Sequence, residues 1–188
     1  KGMKWRDEKN LHRWTVPYIP VDPKDIGRTY DADVIRINSQ SGKGGIGYLL
    51  EQTYGYILPG KMREHLGYTV KSVSDHAHKE LSAPEVRDVF QKTYLNKTSP
   101  FKLVDVSFIQ KKDFFAVVTL ETGGQQREFS GTGNGRLDAV ANAIQSGTGM
   151  EFTIDTYTQH ALEQGSTSRA ISYDGLKWGS GTITWGAG

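Results

Sequence analysis

The chain has 188 residues, enough to bury a core as one domain or two small ones, and its 36% hydrophobic and 11% aromatic content sets it above the disordered class. Its 23 basic and 21 acidic side chains leave a net charge of +2, which gives no electrostatic footprint for nucleic acid or an anionic membrane surface. It has no cysteine, so disulfides, thiolate metal sites and thiol nucleophiles are excluded, and no apolar run approaches the ~20 residues that span a bilayer. The charged start "KGMKWRDEKN" lacks the apolar core of a signal peptide, and a cytoplasmic location is the expectation.

Lys1 to Pro23 reads as an extended arm, because Pro17, Pro20 and Pro23, with Trp14 and Tyr18 among them, prevent a helix. Alternation from Val34 to Ile37 suits a short strand, and beyond Gly45 the order Ile46, Leu49, Leu50, Thr53 has the spacing of one helical face. Between them lies "SQSGKGGIGYLLEQ", a glycine-rich stretch around Lys43 that suggests a phosphate loop. Such a loop needs Ser or Thr directly after its lysine to hold magnesium, and here Gly44 and Gly45 follow. The stretch therefore reads as a structural turn, with a nucleotide-binding domain as the weaker alternative.

Met62, Leu66, Val70 and Val73 recur at three or four residues and predict an amphipathic helix over Gly60 to His78. His76 and His78 fall on it two apart, on different faces, so they are not expected to share a metal. His12, His65 and His160 are scattered and suggest no triad. "SAPEVRDVFQKTYL" opens with Ser82 as N-cap, Pro84 in the first turn and Glu85 in capping-box position, so a second helix starts there. The polar "NKTSP", Asn96 to Pro100, separates a first domain at 1–97 from a second at 98–188.

From Phe101 the period becomes two: "FKLVDVSFI", "FFAVVTLET" and "QQREFSG" predict an antiparallel meander. "GTGNG" then precedes the helical stripe Leu137, Val140, Ala141, Ile144 and completes a β-β-β-α unit. Two readings of this glycine motif stand side by side: a tight strand-to-helix connection capped by Asn134, or a seat for a carboxylate on bare helix-terminal amides. "MEFTIDTYTQHAL", "RAISYDGLKWG" and "TITWGAG" begin a second round of three strands, with no helical stripe after it. The fold class is α+β: a small mixed subdomain followed by two β-β-β-α units, the second lacking its helix. A sheet left without its helix predicts an exposed apolar face and a dimer.

"WTVPYIPVDPKDIGRTYDADVIRINSQSGKGGIGYLLE" resembles the segment that follows the catalytic barrel in 2-isopropylmalate synthases, and "GTGNGRLDAVANAI" with "YTQHAL" resembles their leucine-sensing domain. The resemblance implies a linker subdomain over 1–97 and a regulatory domain over 98–188, with L-leucine as effector and a homodimer as the assembly. It implies an effector pocket lined by Gly133, Gly135, Leu137, Ile154, Tyr157, Ala161 and Ala170. A side chain at Gly133 or Gly135 is then expected to block the carboxylate, and a β-branched one to strain a backbone of positive φ. The family's barrel condenses acetyl-CoA with 2-oxoisovalerate on a divalent metal. That barrel, its metal ligands and its acetyl-CoA site match nothing in these 188 residues, so the chain is expected to have no catalytic residue, metal or cofactor of its own and to be inactive alone. Arg136 stands where the family usually has proline, and Thr156 where it has an acid or amide. Citramalate synthases carry a similar sensor for isoleucine, and a purely structural dimerisation module is a further alternative.

Overall fold

The computed structural model describes residues 8–9, 21, 23–27 and 43–188, except 111, 164 and 166. It divides into two compact units, Lys1–Ile35 and Arg36–Gly188. In the first, Pro23–Ile26 forms one turn of 3-10 helix. Most of the arm expected over residues 1–23 and the whole strand expected at 34–37 lie outside the described residues.

The second unit begins with helix α1, Lys43–Tyr54. Gly44 and Gly45 lie inside its first turn rather than in a turn ahead of it. The buried stripe Ile46, Leu49, Leu50 carries the helix back through them, against a glycine penalty of about 1 kcal/mol each. Helix α2, Gly60–Ala77, follows Pro59 and ends at His78, whose left-handed backbone (φ 48°) lets Lys79 N–H reach Ser74 O. Its buried stripe is Met62, Leu66, Val70 and Ser74, not Val73, which is exposed. Ser74 can be buried because its hydroxyl donates to Lys79 O at 2.7 Å. Helix α3, Ala83–Tyr94, starts where the capping pattern places it: Ser82 N–H and Oγ each reach Glu85 Oε2 at 2.8 Å.

Two three-stranded antiparallel sheets follow. Strands β1 (Lys102–Gln110), β2 (Phe114–Thr122) and β3 (Gln125–Gly133) form the first in the order β1-β2-β3. Helix α4, Arg136–Thr148, lies on it: Ala116, Val118 and Leu120 of β2 meet Ala139 and Ala143 in a small core. Gly131 lets the two approach, since a Cβ there would come within 2.8 Å of Ala143 Cα. Strands β4 (Phe152–Ala161), β5 (Ala170–Trp178) and β6 (Ile183–Ala187) form the second sheet in the same order. The sequence pattern of three strands, a helix and three more strands is thus the observed one, and the fold is α+β.

The second sheet is covered differently from the first. Ile171 and Tyr173 of β5 and Ala187 of β6 join the core made by α1, α2 and α3, and Asn96 N–H donates to Ala187 O at 2.8 Å. The apolar face expected to stay open on this sheet is therefore buried against the helices. Exposed apolar side chains gather on the edge strand β1 instead, with Leu103 57% and Ile109 54% exposed. Two tyrosine hydroxyls emerge from the helical core onto histidines: Tyr94 OH lies 2.6 Å from His65 Nδ1, and Tyr173 OH 3.1 Å from His160 Nε2. Burial pushes both phenols above their ordinary range.

Candidate effector cleft

Helix α4 and strand β4 enclose a cleft of about 600 Å³ in which the glycine motif and the second round of strands meet. The helix begins at Gly135, which is its N-cap with φ −151° and ψ 171°; Asn134 is one residue too early for that role. Asn134 contributes its backbone N–H, which donates to Asp138 Oδ2 at 2.9 Å. The carboxylate of Asp138 also sits in the first turn, where the helix dipole favours negative charge. The amides of residues 136–138 have no acceptor within the helix, as in any first turn, and Gly135 has no side chain to cap them. Arg136 lines this end of the cleft, its guanidinium 5.4 Å over the Phe108 ring.

Farther along, Asp138, Asn142 and Gln145 follow one another at helical spacing on the cleft side, with Leu137 and Ala141 beside them. Asn142 Nδ2 donates to Thr132 O at 2.8 Å and thereby ties the helix to the end of β3. The opposite wall is β4, through Phe152, Thr153, Ile154 and Tyr157. The cleft thus has a polar end at the helix terminus and an apolar wall, a combination suited to a small amphiphile carrying an anionic group.

Of the seven residues expected in an effector pocket, four meet here: Gly135, Leu137, Ile154 and Tyr157. Gly133 does not line the cleft; it ends β3 opposite Phe114, under the first turn of α4. Ala161 and Ala170 are cross-strand partners at the far end of the β4–β5 hairpin. They share the Tyr157 face by register but stand four residues away, about 13 Å along the strand. Positive φ has no part in the motif, since neither Gly133 nor Gly135 has it, and a Cβ on Gly135 meets nothing within 4 Å. Strain therefore does not explain why glycine stands there. The sequence reading missed Asp138, Asn142, Gln145 and Phe152; the 138, 142, 145 spacing was legible, but nothing showed that this helical face turns toward β4.

Two carboxylates near the cleft wall are perturbed in opposite directions. The Lys61 ammonium beside Asp155, helped by the Thr156 hydroxyl, holds that carboxyl below the usual range. Burial raises Asp174, the cross-strand partner of Tyr157, with the Ser172 hydroxyl opposing. His76 and His78 take no part: the His76 ring meets its own helix at Ser72 O, 2.7 Å away, and His78 is the C-cap of α2. No group of three or more metal-binding side chains gathers among the described residues. No helix among them is long and apolar enough to cross a membrane.

Residues 80–188, which contain the whole cleft, match the model of the LeuA allosteric (dimerisation) domain. The chain belongs to this family. Residues 1–51 match a second model, the post-catalytic domain-like region of alpha-isopropylmalate synthase. Among its relatives is the 2-isopropylmalate synthase of Desulfitobacterium hafniense (strain Y51), 53% identical over 188 residues, all of this chain but 34% of the relative. The 2-isopropylmalate synthase of Helicobacter hepaticus is 46% identical over 182 residues, covering 92% of this chain and 33% of the relative. That of Rhodospirillum rubrum is 33% identical over 192 residues and is spanned to 34%. The LeuA-family chain therefore spans about a third of the length of the curated relatives it matches.

Proposed function

We propose that the chain is the linker and leucine-sensing regulatory part of a cytoplasmic 2-isopropylmalate synthase, an acyltransferase of leucine biosynthesis, and that the α4–β4 cleft binds L-leucine for feedback inhibition. The observation that carries this reading is the meeting of Gly135, Leu137, Ile154 and Tyr157 around one cleft that has free helix-terminal amides at one end. Leucine is a carboxylate and an ammonium joined to an isobutyl group. The amides of residues 136–138 and the Arg136 guanidinium suit the carboxylate, and Leu137, Ile154 and Tyr157 suit the isobutyl group. The Asp138 carboxylate supplies opposite charge on the same side for the ammonium.

The condensation of acetyl-CoA with 2-oxoisovalerate on a divalent metal belongs, in this reading, to a barrel that the 188 residues do not match, and the chain alone is inactive. Leucine inhibits by binding one state of the whole enzyme more tightly than another, since equal affinity shifts nothing. The regulatory part assembles as a homodimer, and the exposed apolar side chains of β1 are the surface best suited to it.

Thermal unfolding with leucine, isoleucine, valine and ATP tests the reading. A ligand at a hundred times its Kd stabilises the native state by about 2.7 kcal/mol. Leucine is expected to raise Tm most, isoleucine and valine less, and ATP not at all. A larger shift with isoleucine would favour a citramalate-synthase sensor. No shift with any amino acid at millimolar concentration would leave a structural module, and a shift with ATP alone would revive the nucleotide reading at Lys43.

A further inference from the structure

Ile154 and Tyr157 both line the cleft although they stand three residues apart on one strand, and odd spacing in a regular strand puts side chains on opposite faces. The register resolves this. Ile154 pairs with Leu176 and Thr156 with Gly175, so Asp155 is the extra residue of a β-bulge. The bulge moves Tyr157 onto the face that Ile154 already occupies. Without it the cleft would lose Tyr157 from its apolar wall.

Asp155 is gripped from outside the second sheet. Lys61 Nζ, on the second residue of α2, lies 2.8 Å from Oδ2 and 3.0 Å from Oδ1, across 94 residues of sequence. Thr156 Oγ1 donates to Oδ2 at 2.9 Å. The same stretch of chain grips β4 again at the other side of Tyr157, where Ile57 N–H donates to His160 Nε2 at 3.3 Å. The Lys61 ammonium, helped by the Thr156 hydroxyl, favours the ionised form of the Asp155 carboxyl.

We propose that Lys61 is a positioning residue for the effector cleft, acting through Asp155: its ammonium holds the bulge that brings Ile154 and Tyr157 to one wall. The proposal rests on the reading of the cleft as a leucine site. By linkage, a ligand that requires the bulged strand strengthens the clamp by as much as the clamp strengthens its binding. Helix α2 thereby responds to occupancy of a cleft that none of its residues lines.

The test is calorimetry with L-leucine together with amide hydrogen exchange on this chain and on Lys61→Met, Asp155→Asn, the double variant and Lys61→Arg. Each of Lys61→Met and Asp155→Asn is expected to weaken leucine binding roughly fivefold, the scale of one well-formed ion pair. The double variant should bind no more weakly than either, because all three lose the same interaction, and Lys61→Arg should keep most of the affinity. Without leucine, amides at 154–157 should exchange faster in Lys61→Met while those of β2 do not change. Unchanged exchange at 154–157 overturns the clamp whatever leucine does, and additive losses in the double variant overturn the coupling. A natural chain that takes up no leucine overturns the reading of the cleft instead, and the exchange comparison still decides whether Lys61 holds the bulge.

Discussion

Gly133 lies directly beneath the backbone of Ala139, so that the end of β3 and the first turn of α4 touch with no room for a Cβ between them. A Cβ on Gly133 would come within 2.6 Å of Asp138 Oδ2 and 2.7 Å of the Asp138 carbonyl carbon, whereas one on Gly135 meets nothing within 4 Å. Of the two glycines of the motif, the first is required by packing, whereas a side chain at the second would meet open space. Gly133→Ala is expected to destabilise the chain by about 1–3 kcal/mol through overpacking. Gly135→Ala should stay within about 1 kcal/mol, the scale of an N-cap exchange. Urea unfolding of the two variants decides this, and equal midpoints would mean that the β3–α4 contact is looser than described.

The fold was legible where periodicity and capping chemistry act locally. The change of period at Phe101, the six strands, the helix after "GTGNG" and the start of α3 at Ser82 all follow from such signals. What the sequence could not show is which elements cover one another. The face carrying Ile171 and Tyr173 is buried by helices roughly eighty to a hundred and thirty residues earlier in the chain, a relation no local pattern encodes. The same limit applies to the cleft. Four of its residues came from motif resemblance, but the Asp155 bulge that lets Ile154 and Tyr157 share a wall is a matter of register, and the alternating pattern conceals it.

Glu85 gives a pH prediction with a definite sign. The Lys79 ammonium at 2.5 Å, then the Ser82 N–H and hydroxyl at 2.8 Å, hold its carboxyl down from 4.5 to about 2. A carboxyl lowered on folding contributes stability that is complete above its unfolded value and is lost as pH falls through the folded one. The start of α3 should accordingly loosen between about pH 4.5 and pH 2, and Glu85→Gln should already be loosened at neutral pH and lose this dependence. An NMR titration of the Glu85 carboxyl with a midpoint near the ordinary glutamate value would contradict the clamp. The group is exposed and screened, so the effect belongs to the helix start rather than to global stability.

Phe90 tests the shared helical core. It is fully buried, with the Tyr56 ring at 4.9 Å and the Tyr94 ring at 5.8 Å. Phe90→Ala should cost about 3–5 kcal/mol, the usual loss for a buried phenylalanine. Because Ile171 and Tyr173 belong to the same core, amides of β5 should lose protection together with those of α2 and α3. Val118 lies in the separate core under α4, and amides of β2 should keep more of their protection. Equal loss in both sheets would show that the two cores unfold as one.

Tyr157 separates the ring from the hydroxyl in the proposed leucine site. Its OH donates to Gln159 Oε1 at 3.0 Å, along its own strand, while the residue lines the cleft and remains 46% exposed. The ring, not the hydroxyl, is then the part a ligand would cover. Tyr157→Phe should bind leucine within about twofold of the natural chain, since the bond it loses is to a neighbouring side chain in water. Tyr157→Ala should weaken binding by about 1–2 kcal/mol, the value of the apolar contact area removed. A ligand pair sharpens the comparison: isoamylamine, which lacks the carboxylate, should bind neither form measurably, because the free amides of residues 136–138 lose their anion. Calorimetry on the three proteins reads all of these at once. If Tyr157→Ala binds leucine as the natural chain does, the apolar wall lies farther along the same face, toward Ala161 and Ala170, and the assignment of the α4–β4 cleft fails.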